Sequence, residues 1–203
     1  RALLDAGARR VVALVRAPDD AAARARVLAK AGYYFGDAGR AALDADPRLA
    51  VWAADLSEDL LGLTPARHAE LAGAVDAIVH AAANVRHFGH YAEFHAANVK
   101  SVAGLVALAR TGRAKALHHV STVSVGDGHT PGRDHALFTE DDPAITSHDN
   151  HYLRSKAEGE RVVDEARAAG LTASIYRVGN IVWDSLTGRH QENLDENAFY
   201  QRV

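Results

Sequence analysis

Tyrosine and lysine four residues apart, Tyr152-Leu-Arg-Ser-Lys156, form the most chemically pointed pattern in this chain. On a helix, positions i and i+4 share a face about 5–6 Å apart. An ammonium at that distance favours phenolate over phenol and draws the phenol from ~10 towards working pH. Tyr152 is therefore a candidate general acid for a carbonyl oxygen that receives a hydride. The spacing alone is weak, because with six tyrosines such a pair arises readily by chance. Thirty residues upstream, His119-Val-Ser-Thr-Val-Ser-Val125 closes a β-rich run. Its hydroxyls, Ser121, Thr122 and Ser124, could bond the same carbonyl oxygen, although each taken singly reads as a small polar residue at a strand end. Strand-end hydroxyl, loop and Tyr-x-x-x-Lys helix in this order are much more specific than any one of them.

Thiol and metal chemistry fare worse. The chain has no cysteine, which excludes disulfides, Cys-ligated zinc, iron–sulfur clusters and a thiol nucleophile, and fits a reducing compartment. Among twelve histidines, His87 and His90 have helical-pair spacing, but no His-Glu-x-x-His motif or acidic third ligand accompanies them. His118 and His119 are strand neighbours and point to opposite faces. No metal is expected. A formal charge of −3 argues against a nucleic-acid-binding face. Hydrophobic residues at 48% and charged residues at 24% are ordinary globular usage. No run approaches the ~18–20 apolar residues of a membrane span, and Arg1-Ala-Leu-Leu-Asp5 has no signal core. A soluble, cytoplasmic protein without a membrane or nucleic-acid partner is expected.

The elements that must position these residues alternate between short β-rich runs and longer amphipathic ones. Residues 10–16, 49–54, 75–80, 117–125 and 172–176 read as strands. Helices are expected from Asp19 or Asp20 towards Gly32, from Thr64-Pro65 with threonine as cap, over 92–110, and over 151–169 with Gly170 as a left-handed cap. Residues 126–149, rich in Gly, Asp, His, Thr and Pro, read as a loop. Strands separated by helices imply a doubly wound parallel sheet, covered on both faces, with ligands at the carboxyl ends of the strands.

With these residues in place, the chain resembles the extended short-chain dehydrogenase/reductases, and within them the terminal thioester reductase domains of nonribosomal peptide synthetases and carboxylic acid reductases. The resemblance runs through Leu14-Val-Arg-Ala17, Ala54-Asp-Leu-Ser57, Leu61-Gly-Leu63, Val79-His-Ala-Ala-Ala-Asn-Val85 and Ala97-Asn-Val99. It continues through the Ser-Thr-Val-Ser and Tyr-x-x-x-Lys segments to Ile175-Tyr-Arg-Val-Gly-Asn-Ile-Val182, Gln191-Glu-Asn193 and Glu196-Asn-Ala-Phe-Tyr200. It implies an NAD(P)-binding Rossmann-like fold and NADPH-dependent reduction of a carrier-bound thioester to an aldehyde, with the carrier's phosphopantetheine arm as partner. It selects Thr122 over Ser121 and Ser124, alongside Tyr152 and Lys156, as the catalytic set. Arg16 stands where an NAD site usually carries an acid; a solvated arginine is an equal reading of the residue alone, but the resemblance assigns it to the 2′-phosphate of NADP, with Arg26 as a helper, although a solvated helix face is the stronger reading of Arg26. It places Asp55 and Leu56 at the adenine, Ala81, Ala82 and Ala83 where the backbone approaches the cofactor, Asn98 near the cofactor, Val178 and Asn180 at the nicotinamide end, and Tyr152 and Lys156 at the cofactor as well; from the residues alone, tight helix–strand packing also accounts for the alanines, and helix-interior hydrogen bonding is an equal reading of Asn98.

By the same comparison, residues 1–182 form the NADP-binding domain and 183–203 begin a substrate-binding region. The full pattern opens with a strand and a Thr-Gly-x-x-Gly-x-x-Gly loop that this sequence does not contain, and Arg1–Gly7 resembles the second half of the helix that follows it. The expected sheet is thus truncated at both ends, and the chain alone is expected to bind NADPH weakly and to be inactive. Two other functions compete: reduction of a nucleotide-sugar or small carbonyl compound, and a non-redox NADP-binding module. The presence of both Tyr152 and Lys156 argues against the latter.

Overall fold

The computed structural model describes residues 1–86, 88–127, 138–145 and 148–192, which fall into two compact units: Arg1–Asp55 with Val182–Val203, and Leu56–Ile181. Each is built from parallel strands separated by helices.

In the first unit, α1 (Ala2–Asp5) leads to β1 (Val11–Val15), α2 (Asp20–Ala45) and β2 (Leu49–Ala53). β1 and β2 pair in parallel from Val11↔Leu49 to Val15↔Ala53. Leu4, Ala31 and Leu43 form the core, with Val11, Val27 and Leu49 against it. Asp19 caps α2 by accepting from the Ala22 N–H at 2.8 Å. The helix does not stop near Gly32 as expected. It breaks at Gly36 (φ 70°), a left-handed conformation that glycine adopts without steric cost, and then resumes. Arg24 joins the two halves through the Asp44 carboxylate at 2.7 Å. Arg189, next to a Trp183↔His190 bridge, donates to the Tyr34 carbonyl at 2.7 Å, just before the break.

In the second unit, a 3₁₀ turn (Asp59–Gly62) and α3 (Pro65–Ala74) precede β3 (Ala77–His80). α4 (Tyr91–His95) passes through a π turn (Ala96–Lys100) into α5 (Ser101–Arg110), followed by β4 (Ala116–Thr122), a 3₁₀ turn (Val123–Gly126), α6 (His151–Ala168) and β5 (Ala173–Val178). Leu60 and Leu61 both have positive φ (52° and 63°), which costs an L residue about 1–2 kcal/mol. Burial of Leu61 offsets this: it packs so closely on α5 that a Cβ at Gly104 would lie 2.9 Å from its Cδ2.

The sheet order is β3-β4-β5, all parallel. Leu117, His119 and Ser121 of β4 are buried on the face against which α5 and α6 pack. On the other face of this three-stranded sheet Val79 and Tyr176 remain exposed. Two successive right-handed crossovers in the same direction put both helices on the same side, which accounts for this. β4 also ends earlier than expected. The Thr122 hydroxyl oxygen accepts from the Ser124 N–H at 3.3 Å and turns the chain out of the strand. Parts of the expected loop, residues 128–137 and 146–147, lie outside the described residues. The architecture is α/β with parallel sheets, as read from the sequence.

Candidate active site

The site is built at the carboxyl end of β4 and the first turns of α6, both in the second unit. Asn150 caps α6 by accepting from the Leu153 N–H at 3.1 Å, so Tyr152 falls in the first helical turn and Lys156 one turn later. Thr122, the last residue of β4, hydrogen-bonds the Tyr152 phenol. The Thr122 oxygen also accepts from the Ser124 N–H, and because its bond to the phenol favours the phenolate, its O–H is the donor in that bond. Ser121 lies on the opposite, buried face of β4, and its Oγ has no partner among the described residues. The fold therefore brings Thr122 to Tyr152.

The expectation that Lys156 draws the Tyr152 phenol down does not hold here. Burial pushes the phenol above its usual value, and the Thr122 hydrogen bond opposes this only in part. The Lys156 ammonium turns instead to the Val120 carbonyl at 2.8 Å. Lys156 is itself buried, and desolvation lowers it to about 8, with the Glu160 carboxylate opposing. The result is a neutral phenol beside a lysine close to its own titration, which suits proton donation by Tyr152.

Asn98 braces the site. Its Oδ1 accepts from the Asn84 N–H at 2.7 Å, and its Nδ2 donates to the Asn84 carbonyl at 3.0 Å and to Ser155 Oγ at 2.9 Å. It thereby ties the segment after β3 to α6. The π turn sets Asn98 in this position, and Gly159 permits the approach: a Cβ there would lie 2.5 Å from the Asn98 carbonyl oxygen. Ala81, Ala82 and Ala83 are exposed on the segment that Asn98 holds, at the carboxyl end of β3. Val178 ends β5 and Asn180 follows it, both exposed; Leu56, half-buried, precedes the strained turn. In the first unit, Arg16 and Arg26 are exposed at the end of β1 and in α2, and Arg26 donates to the Arg16 carbonyl at 3.0 Å. Asp55, half-buried, follows β2.

Two buried pairs were not foreseen. His80 and His119, in register on adjacent strands, meet Nδ1 to Nδ1 at 2.9 Å. Burial and the nearby Lys156 charge lower them to about 4 and about 3. Glu160, fully buried, accepts from Arg177 at Oε2, 3.0 Å from Nε and 2.8 Å from Nη2, and at Oε1, 3.4 Å from Nε. The continued spacing Tyr152, Lys156, Glu160 was a visible signal for the second pair; the first depends on strand register. Of the histidines weighed as ligands, His87 lies outside the described residues, and His118 meets the Tyr176 hydroxyl at 2.9 Å. Among the described residues, no group of three or more His, Asp or Glu side chains could hold a metal ion, and no helix is long and apolar enough to cross a membrane.

Known proteins share this arrangement of chain. Residues 1–199 match the family described as NAD_binding_4, male sterility protein. An isonitrile lipopeptide synthase of Streptomyces coeruleorubidus is 37% identical over 183 residues, which are 88% of this chain and 12% of that protein. A carboxylic acid reductase of Segniliparus rugosus is 37% identical over 181 residues, 83% of this chain and 15% of that protein. The crystal structure of the terminal R domain from the myxalamid PKS-NRPS biosynthetic pathway superposes with a TM-score of 0.82 at 31% identity, over 96% of this chain and 48% of that one. The chain thus spans about half of that solved domain and less than a fifth of these two curated relatives. The match over residues 1–199, joined to the parallel α/β fold, places the chain in the NAD_binding_4, or male sterility protein, family of NAD(P)-binding domains.

Proposed function

We propose that the chain belongs to an NADPH-dependent reductase that converts an acyl or peptidyl thioester on a carrier protein to an aldehyde, with further reduction to an alcohol open to it. The observation that carries this reading is the Thr122–Tyr152 hydroxyl pair with Lys156 one turn along α6. The residues fit a nicotinamide dinucleotide phosphate. Arg16 and Arg26 offer cations for a 2′-phosphate, the methyl side chains of Ala81–Ala83 leave the backbone approachable, and Asp55, Leu56, Val178 and Asn180 complete the proposed binding set, with the buried Asn98 near the cofactor only through the segment it holds. Bound NADPH would supply the hydride.

The protein's own groups do the rest. Tyr152, kept neutral by burial, donates its hydrogen bond and then its proton to the substrate carbonyl oxygen, and the Thr122 O–H turns from the Tyr152 oxygen to the substrate to donate a second bond to the charge developing there. Lys156 spends one donor on Val120 and keeps two for the cofactor's ribose hydroxyls. Collapse of the resulting thiohemiacetal breaks the C–S bond and releases the aldehyde and the carrier thiol. Residues 1–182 would be the cofactor-binding portion and 183–203 the start of the substrate region, in a cytoplasmic assembly line.

The test is NADPH oxidation by the active reductase with a carrier-bound thioester. Tyr152→Phe should lower turnover at least a hundredfold, and near-normal turnover in that variant would sink the mechanism. Scanning nucleotide-sugars and small carbonyl compounds in the same assay separates the competing substrate class.

A further inference from the structure

Tyr152, Lys156 and Glu160 follow one another at four-residue intervals along α6 and therefore share a face. Tyr152 and Lys156 have roles in the reaction proposed above; Glu160 has none. Yet Glu160 is fully buried, a costly position for a carboxylate unless it is paired. Its partner Arg177 is buried too, with side-chain exposure of 15%, and bonds it through both Nε and Nη2. Arg177 also donates to the Thr139 carbonyl at 3.2 Å and stacks on Phe138 at 4.6 Å. The guanidinium thus fixes the carboxylate from β5 and has little freedom to turn away.

The other groups around Lys156 do not stabilise its charge in this way. From β3 and β4 it faces His80 and His119, both neutral. β4 also contributes the Val120 carbonyl, a dipole without net charge. The π turn presents the uncharged Asn98 to Ser155 of α6, and α4 directs Tyr91 and His95 to Glu158, which lies elsewhere on α6. Arg177, from β5, is positive. Glu160 is the anion acting on Lys156 among the described residues.

We propose that Glu160, held in place by Arg177, is a positioning residue that keeps the Lys156 ammonium charged one turn from Tyr152. The inference rests on the reading of Lys156 given above. The salt bridge that joins α6 to β5 also stands one turn from that lysine, on the same helix face. Here its anion is the counter-charge that a desolvated ammonium needs, and its cation is the tether that stops the carboxylate from swinging to solvent.

The experiment is the pH profile of kcat/KM in the active reductase, with NADPH and a carrier-bound acyl thioester. Glu160→Gln should move the alkaline limb about one unit lower, a roughly tenfold loss at pH 9 with the plateau near pH 6 retained. Glu160→Asp should keep the limb in place. If Glu160→Gln fails to fold, the neutral pair Glu160→Gln with Arg177→Gln removes both buried charges and should move the limb in the same direction by less, because the opposing Arg177 charge is lost as well. A limb that stays where it is in the single or the double variant, with only thermal stability lowered, overturns the proposal. Full activity in Lys156→Met would instead overturn the catalytic reading, so the two failures are distinguishable.

Discussion

Acid should unfold this protein through two histidines before it protonates most carboxylates. His80 and His119 are buried at 3% and 1% exposure and are neutral in the folded chain, at about 4 and about 3 against 6.5 when unfolded. Their Nδ1–Nδ1 contact needs one proton between the two facing nitrogens, so a second has no place there. Below pH 6.5 the unfolded chain therefore takes up protons that the folded chain refuses. Stability is intact above about pH 7.5 and falls as pH drops through 6.5 towards 4. Each pH unit costs about 1.4 kcal/mol per ring while the folded ring stays neutral. By pH 5 that is about 2 kcal/mol per ring, or about 4 kcal/mol for the pair, a large share of the 5–15 kcal/mol typical of a domain. Urea denaturation of the chain at pH 7.5 and pH 5 measures this directly. The comparison is the double variant His80→Leu, His119→Leu, in which both partners become apolar and neither is left unpaired. The variant should lose about 4 kcal/mol less than the parent between the two pH values. Equal losses in the two proteins would refute the argument that these rings are held neutral.

Two further outcomes are expected. Lys156→Met should abolish thioester reduction yet raise the urea midpoint at pH 7, because burial holds the lysine at about 8 and its charge costs the fold about 1–3 kcal/mol; a less stable variant would show that the Val120 hydrogen bond outweighs desolvation. Gly159→Ala places a methyl 2.5 Å from the Asn98 carbonyl oxygen and should destabilise by about 1–3 kcal/mol despite alanine's better helix propensity, and an unchanged or higher midpoint would show that α6 can move off the π turn freely.

The strands and helices were legible in the sequence because their periodicity and caps are local. Asp19, Thr64 and Asn150 cap the helices that follow them, and Gly170 (φ 89°) follows the end of α6. The order of a strand-end hydroxyl, a loop and a Tyr-x-x-x-Lys helix was likewise present in the residues themselves. The failures were places where one residue's geometry overrides a pattern. Gly36 breaks a helix and lets it resume, Thr122 caps its own exit from β4, and Leu60 and Leu61 take a left-handed conformation that no propensity favours.

By itself, then, the sequence determined which chemical groups are available and roughly where along the chain they stand. Tertiary structure decided their protonation and their partners. Spacing predicted that Lys156 would lower the Tyr152 phenol, but burial raises it, because desolvation depends on how much chain closes over a group and not on its neighbour four residues away. The His80–His119 contact and the Glu160–Arg177 bridge join residues 39 and 17 positions apart. They follow from strand register and from the packing of α6 on β5, which emerge only when the chain is folded.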